Sequence, residues 1–569
     1  MFSVALTRSV GDDDGNLNYD RGSLVSSLLK VSHDFSLNYN NVGMFARALY
    51  FYDSAIHDME NCGTGSVACA KGLLPETKNR LGDDVQLLDA YVFGRFDLGE
   101  HKLNARFGNQ VVNWGESTFI PNGINAANPV DVARLRAPGS EVKEGLLPVP
   151  MLWSSLEVSD TVSLEGFYQF NFQKTKIDPR GSYFSNNDFL SPGGDRGYFG
   201  GTGRYDQHQP FVAPGTIGPD GYPIGQLWVT RNPDLDARDS GQFGLAARVL
   251  APQWNNTEFG LFFMNYHSRT PFLSGISGGN TTKTAVGLIL ADGPTGQVGG
   301  TTNPAPGLMR AMSEFPEDIQ MYGLSFNTAG PLGMAIQGEY SYRPNQPVQL
   351  ASLEVLLGLL GLANRAGVPI GPDVAPAGTY VRGYREVQVH QLQVTATKSF
   401  GPQFGAGQVS AVVEVGGTYM NLPSDLLFAG PGTNLPAMGS NVQLTAGANQ
   451  PNDEGYATRS SWGYRVLVNA TYSNAIGAAT MIPRVVFTHD VHGVSPSFNE
   501  GTKALSLGVG FNYKQNWQAD LAYTAFFGGR TYSGSHPNTT PGTTRPDFAI
   551  SANPLKDRDF ISASLSYSF

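Results

Sequence analysis

Cysteine is nearly missing from this chain: Cys62 and Cys69 are the two in 569 residues. That excludes a small fold stapled by many disulfides. Long apolar runs are missing as well, and none approaches the roughly 18 to 20 residues that a helix needs to cross a bilayer. Charge is sparse, with Asp, Glu, Lys and Arg at 15% and a formal net charge of −10. No basic stripe offsets that balance, which excludes nucleic acid as a partner. No nucleophile elbow, phosphate-binding loop or zinc signature occurs, so neither a cofactor nor a metal is expected. Asp12-Asp13-Asp14-Gly15-Asn16 has calcium-like spacing but lacks the downstream bidentate Glu. His489 and His492 would fall on opposite faces of a strand. Strand-like sequence starts at Phe2 with no leader before it, so an exported chain is expected to have a trimmed or engineered start at Met1.

What the chain does have is aromatics at 11%, 69 glycines and a mean hydropathy of −0.20. Few charges and many aromatics suit a barrel that hides polar residues inside and shows apolar ones to lipid. Alternation is clean in several runs. Over 161–173, Val162, Leu164, Tyr168, Phe170 and Phe172 share one face, and Ser163, Glu165, Gln169, Asn171 and Gln173 share the other. Over 332–343, Leu332, Met334, Ile336, Tyr340 and Tyr342 stand against Gln337, Glu339, Ser341 and Arg343. Each run has about ten residues, the length a tilted strand needs to cross a membrane.

Connection lengths also alternate. Short ones are expected near 40–41, 99–101, 159–160, 252–255, 329–331, 400–406, 474–477 and 515–516. Long ones are expected near 11–29, 54–84, 113–148, 175–240, 269–317, 344–385, 421–458, 491–501 and 529–556. Short periplasmic turns and long extracellular loops produce this pattern. The last strand puts Ile561, Ala563, Leu565, Tyr567 and Phe569 on one stripe and four serines on the other. The predicted fold is all-β: a closed outer-membrane barrel of about 18 antiparallel strands (16–18), with periplasmic termini. Inserted loops and short helices would partly fill its lumen.

Segment 113–148 is the most unusual loop. Asn128 reads as an N-cap, Pro129 as the first helical residue and Asp131 as a carboxylate facing free amides. Pro138-Gly139 would stop that helix after about two turns. Glu116, Asp131, Glu141 and Glu144 balance Arg134, Arg136 and Lys143, beside Trp114. Balanced charges among apolar and proline residues suggest mutual pairing in a confined space. These residues are expected to line a lumen constriction or partial plug; the alternative is an ordinary ordered loop on the outer surface.

The run Gly108-Asn-Gln-Val-Val-Asn-Trp114-Gly-Glu116-Ser, then Gly123-Ile-Asn, Asn128-Pro-Val-Asp131 and Pro138-Gly-Ser-Glu141-Val-Lys-Glu144-Gly-Leu, resembles a proteobacterial envelope family. This is the family catalogued as domain of unknown function 1302 (DUF1302). Gly15-Asn-Leu-Asn-Tyr and Tyr340-Ser-Tyr-Arg-Pro344 fit it too, so the resemblance spans most of the chain. It implies a Gram-negative outer-membrane protein associated with hydrophobic compounds such as sterols, terpenes, solvents or lipids. It also implies an inner-membrane transporter of the resistance–nodulation–division type and a periplasmic lipid-carrier-like partner. No catalytic residues come with it.

Residues 350–366 are apolar all round: Leu353, Leu356, Leu357 and Leu360 on one helical face, Val355, Leu359 and Leu362 on the other. Such a helix is too short to span a membrane and too greasy to lie in water. It is expected either to offer a hydrophobic ligand surface or to pack as a plug at the barrel mouth. Cys62 and Cys69 are spaced for a small loop-closing disulfide in an oxidising compartment. A metal there would need more ligands than His57 and Glu60. Together these features predict a passive conduit for hydrophobic or amphipathic solutes, in contact with outer-membrane lipids. The rivals are an open diffusion porin and a membrane-embedded lipid hydrolase, the latter needing a Ser–His pair at one bilayer interface.

Overall fold

The computed structural model describes residues 2–5, 18–59, 72–185, 189–194, 196–199, 216–217, 223–224, 227–277, 310–351, 355, 359, 378–430, 455–530 and 552–569. One sheet contains 18 strands. Its first nine are β1 (Phe2–Ala5), β2 (Leu24–Tyr39), β3 (Val42–Asp53), β4 (Asp83–Leu98), β5 (His101–Gln110), β6 (Val149–Ser159), β7 (Val162–Gln169), β8 (Gln242–Ala251) and β9 (Thr257–Tyr266). The rest are β10 (Ile319–Ala329), β11 (Met334–Gln349), β12 (Tyr384–Ser399), β13 (Gln408–Met420), β14 (Ser460–Ile476), β15 (Ala479–His492), β16 (Thr502–Tyr513), β17 (Trp517–Gly528) and β18 (Phe560–Tyr567). Each strand pairs antiparallel with the next. β18 returns to β1, from Phe2↔Ala563 to Ala5↔Phe560, and closes the ring. Closure leaves no sheet edge whose backbone groups would go unsatisfied in lipid. No described helix is long and apolar enough to cross a membrane.

The period-2 alternation sorts side chains by chemistry. On β12 Leu392 is 55% exposed on the outer face, while Gln391 and Gln393 are 3% and 2% exposed on the inner one. Outward aromatics gather at two levels. Tyr39, Phe96, Trp254, Tyr513, Trp517 and Tyr567 stand beside short turns, and Tyr52, Tyr168, Tyr322, Tyr419 and Trp462 stand where strands lead into long loops. Two aromatic girdles around an apolar band match the two interfaces of a bilayer. Asn40 (φ 52°) and Gly99 (φ 69°) supply left-handed turn positions, which Asn and Gly adopt at low cost.

The alternation of short and long connections follows the sequence expectation, with three corrected boundaries: a strand was expected over 161–173, but β7 stops at Gln169, so Phe170 and Phe172 lie in the loop. A loop was expected over 11–29, but β2 begins at Leu24, because β1 extends the ladder to Val4↔Leu24. A loop was also expected from 344, yet β11 runs on to Gln349 through Pro344 and Pro347. Its ladder to β12 shifts register between Arg343 and Gln346, and its ladder to β10 ends at Tyr342. A bulge and a free edge are the places where a strand tolerates proline.

The long loops are woven together by a five-stranded sheet of residues 196–199, 227–231, 272–276, 310–314 and 380–381. An apolar cluster containing Leu273, Val348, Leu350, Val355, Leu359 and Phe428 is buried there. Of segment 350–366, only Leu350, Ala351, Val355 and Leu359 are described, and Val355 N–H donates to the Ala351 carbonyl (3.2 Å). Leu353, Leu356, Leu357 and Leu360 lie outside the described residues, as do Cys62, Cys69 and the acidic run 12–16.

Candidate functional site

Residues 111–148 join β5 to β6, and Asn128 ties their base together. Its Oδ1 accepts from Val112 N (2.9 Å), and its Nδ2 donates to the carbonyls of Leu147 (2.9 Å) and Gln110 (3.3 Å). Asn128 is therefore not the N-cap that its place before Pro129 suggests. The chain stays extended to Val130, which bridges to Leu146. The cap is Asp131, whose carboxylate accepts from Arg134 N (3.1 Å). The helix it starts, Val132–Arg136, has five residues instead of two turns. It ends because the residue before Pro138 is pushed out of helical geometry. A second short helix, Val142–Gly145, follows.

Residues 114–124 are held through their backbone. Trp114 enters first: its Nε1 donates to Glu165 on β7 (2.9 Å), and its ring packs on Phe167 and Phe262, 5.0 and 5.7 Å between centroids. Two inward glutamates then take the amides. Glu339 on β11 accepts from Glu116 N (2.5 Å), Ser117 N (3.0 Å), Ile124 N (2.8 Å) and Gln393 Nε2 (2.8 Å). Glu414 on β13 accepts from Thr118 N (2.8 Å), Phe119 N (2.7 Å) and Ile120 N (2.7 Å). Arg343 donates to the carbonyls of Asn122 (3.0 Å) and Gly123 (2.5 Å) and to the Tyr266 hydroxyl (2.8 Å). Gln391 donates to the Pro121 carbonyl (2.7 Å).

Glu339 and Glu414 are 2% and 0% exposed. Buried carboxylates are tolerated when their oxygens are fully hydrogen-bonded, and charge-assisted bonds to N–H groups are stronger than neutral ones. The close approach needs glycine. A Cβ on Gly123 would lie 1.8 Å from Glu339 Oε1, and one on Gly115 would lie 2.4 Å from Oε2.

Residues 131–144 are held through side chains. The balanced charges do not all pair with one another. Asp131 pairs with Arg134 (3.4 Å) and Glu141 with Lys143 (2.9 Å). Glu144 instead reaches Lys30 on β2, Arg136 reaches Asp178, and Glu116 accepts from Asn327 Nδ2 (3.2 Å). Arg134 also lies over the Phe51 ring (4.8 Å), and burial lowers its pKa against the pull of Asp131.

β2 and β11 are nine positions apart in the ring of 18, hence on opposite sides. Tied to Lys30 at one end and Glu339 at the other, the segment runs across the lumen. Lys30, Glu414, Gly123 and the clamping roles of Glu339 and Arg343 were not foreseen from the sequence. Glu339 carried a signal, being an inward acid whose cross-strand neighbours, Ser325 and Gln393, are uncharged. Glu414 carried none, since it faces Arg465 across the ladder while Arg465 bonds Asp490 (2.6 Å). Among the described residues no cluster of three His, Cys, Asp or Glu could hold a metal ion.

A closed ring, polar within, apolar without and girdled by aromatics, defines a transmembrane β-barrel. The chain belongs to the DUF1302 family, described as a protein of unknown function, whose model matches residues 3–569. No curated protein is significantly similar to it in sequence. Among solved structures it is similar to the outer membrane protein OpdK of Pseudomonas aeruginosa (8% identity, 100% of this chain and 96% of that one, TM-score 0.39). It is also similar to a BenF-like porin from Pseudomonas fluorescens (9%, 100% and 96%, TM-score 0.38). A third is the outer membrane channel DcaP of Acinetobacter baumannii (8%, 92% and 94%, TM-score 0.34). At such scores the barrel rests on its own hydrogen-bond ladder.

Proposed function

We propose that this protein is an outer-membrane channel for hydrophobic or amphipathic solutes, narrowed by segment 113–148. The observation that carries the reading is the anchoring of that segment to opposite walls, by Glu339 and Glu414 on one side and Lys30 on the other. A loop held by carboxylates through six backbone amides is a fixed obstruction, so the channel conducts ions poorly. The family resemblance supports a greasy solute, while the apolar cluster that includes Val355 and Leu359 is itself buried packing among the long loops. On this reading the short turns and both termini face the periplasm, where a lipid-carrier-like protein and an inner-membrane transporter would engage them. The protein acts without chemistry on its solute.

Planar-bilayer recording tests this. The native channel is expected to give small or no ion steps, and Glu339→Gln combined with Glu414→Gln to give larger ones. Large, steady currents through the native protein would replace the conduit with an open porin. Lipid turnover by purified protein, abolished by a single Ser→Ala change, would replace it with a hydrolase.

A further inference from the structure

Two cavities meet beside the crossing segment. The larger, ≈ 760 Å³, is lined in part by Leu147, Pro148, Phe172, Ile177 and Phe315. The smaller, ≈ 130 Å³, is lined in part by Val25, Leu49, Phe51, Ile56, Tyr183 and Phe184. Arg80 and Asp131 border both. The larger has the size of a small-molecule site, typically about 300–1,000 Å³, and such sites combine apolar walls with a few polar groups.

Three cations stand at the junction: Arg80, on the helix Pro75–Leu81, together with Arg134 and Lys176. Arg134 shares the Asp131 carboxylate and leaves its Nη1 buried without a hydrogen-bond partner. Arg80 and Lys176 feel Asp131 through space, with no side-chain hydrogen bond among the described residues. The other acids around them are Asp84, Glu76, Asp178 and Glu144. Glu144 is bonded to Lys30, Asp178 to Arg136, and Asp84 to Val85 N and Gln86 Nε2, while Glu76 is exposed. Burial lowers the pKa of both Arg80 and Lys176. By contrast Lys174 and Arg231, also in the larger cavity, are paired with Asp234, and Lys174 with Asp236 as well.

Half-buried cations with no hydrogen-bond or ion-pair partner among the described residues, beside a cavity walled in part by apolar side chains, gain most from an incoming anion. We propose that this junction binds an amphipathic monoanion. Its carboxylate-like head is received by Arg80 and Lys176, and its apolar body lies along the Leu147, Pro148, Phe172, Ile177 and Phe315 part of the larger cavity wall. The guanidinium fork of Arg80 matches a planar carboxylate, and Lys176 adds a compact second charge. The site rests on the conduit reading and narrows its solute class.

The full chain in liposomes, dialysed to equilibrium against 4-butylbenzoate or 4-butylbenzyl alcohol, tests the site, with protein-free liposomes correcting for partition. Saturable binding of the benzoate is expected, with no saturable binding of the alcohol. Lys176→Met should weaken the benzoate about ten-fold or more, as loss of a charge-assisted contact does. Arg80→Gln should do the same, and if that variant fails to fold, Lys176→Met alone decides. Equal binding of the alcohol, or an affinity unmoved by Lys176→Met, overturns the proposal. Flux of a neutral apolar dye through the same liposomes separates the two readings. Flux with no benzoate site refutes only the site, and a benzoate site without flux of either solute refutes the conduit.

Discussion

The two halves of the segment that crosses the lumen are fastened by different physics. Residues 114–124 give six backbone amides to two buried carboxylates, with the Trp114 side chain bonded to Glu165 beside them. Residues 131–144 are fastened by ion pairs, which depend on each side chain and weaken with salt where water reaches them. The first half is therefore the rigid anchor. The second half is the adjustable one, and it borders the two cavities.

The sharpest way to break this contrast is Glu339→Ala. It strips the acceptor from three backbone amides, each of which costs about 1–3 kcal/mol when left buried and unpaired. Hydrogen exchange at Glu116, Ser117 and Ile124 should rise by orders of magnitude, and unchanged protection there would remove the carboxylate from its anchoring role. Next comes Lys30→Met, which leaves Glu144 buried without its cation at a cost of about 3–5 kcal/mol. Protease sensitivity across 137–144 is expected to increase while the amides of 116–120 stay protected. Equal loosening of both halves would show that they act as one unit. Gly123→Ala should cost about 1–3 kcal/mol by pushing Glu339 off its amides, read as a lower unfolding midpoint in urea. The smallest effect belongs to Lys143→Ala. Its pair with Glu141 is exposed, and such pairs contribute about 0–1 kcal/mol, so stability and its salt dependence should barely change.

Much of the barrel was legible because lipid imposes a simple rule on each strand. Leu392 and Gln391 are neighbours in sequence and go to opposite sides of the wall, as their chemistry requires. The loop expected from 344 begins later, because a bulge carries β11 past Pro344 to Gln349. Asn128 misled. Asn-Pro is a strong helix-start signal, yet the asparagine side chain is a three-way clasp for Gln110, Val112 and Leu147 instead. Within the segment, mutual pairing was expected without named partners, and Asp131 and Arg134, three apart, are one pair that local spacing allows. Glu144 and Lys30 could not be, because 114 residues separate them.

The sequence alone determined the alternating faces, the short turns and the closing strand, which ends at Tyr567, two residues before the expected Phe569, since these follow from local periodicity and from the cost of an open edge in lipid. Only the tertiary structure decided that Glu339 and Glu414 hold amides rather than cations, and that Lys30 meets Glu144. Those contacts depend on which strands face one another across the lumen. Strand number and ring closure set that distance, and no local pattern records it.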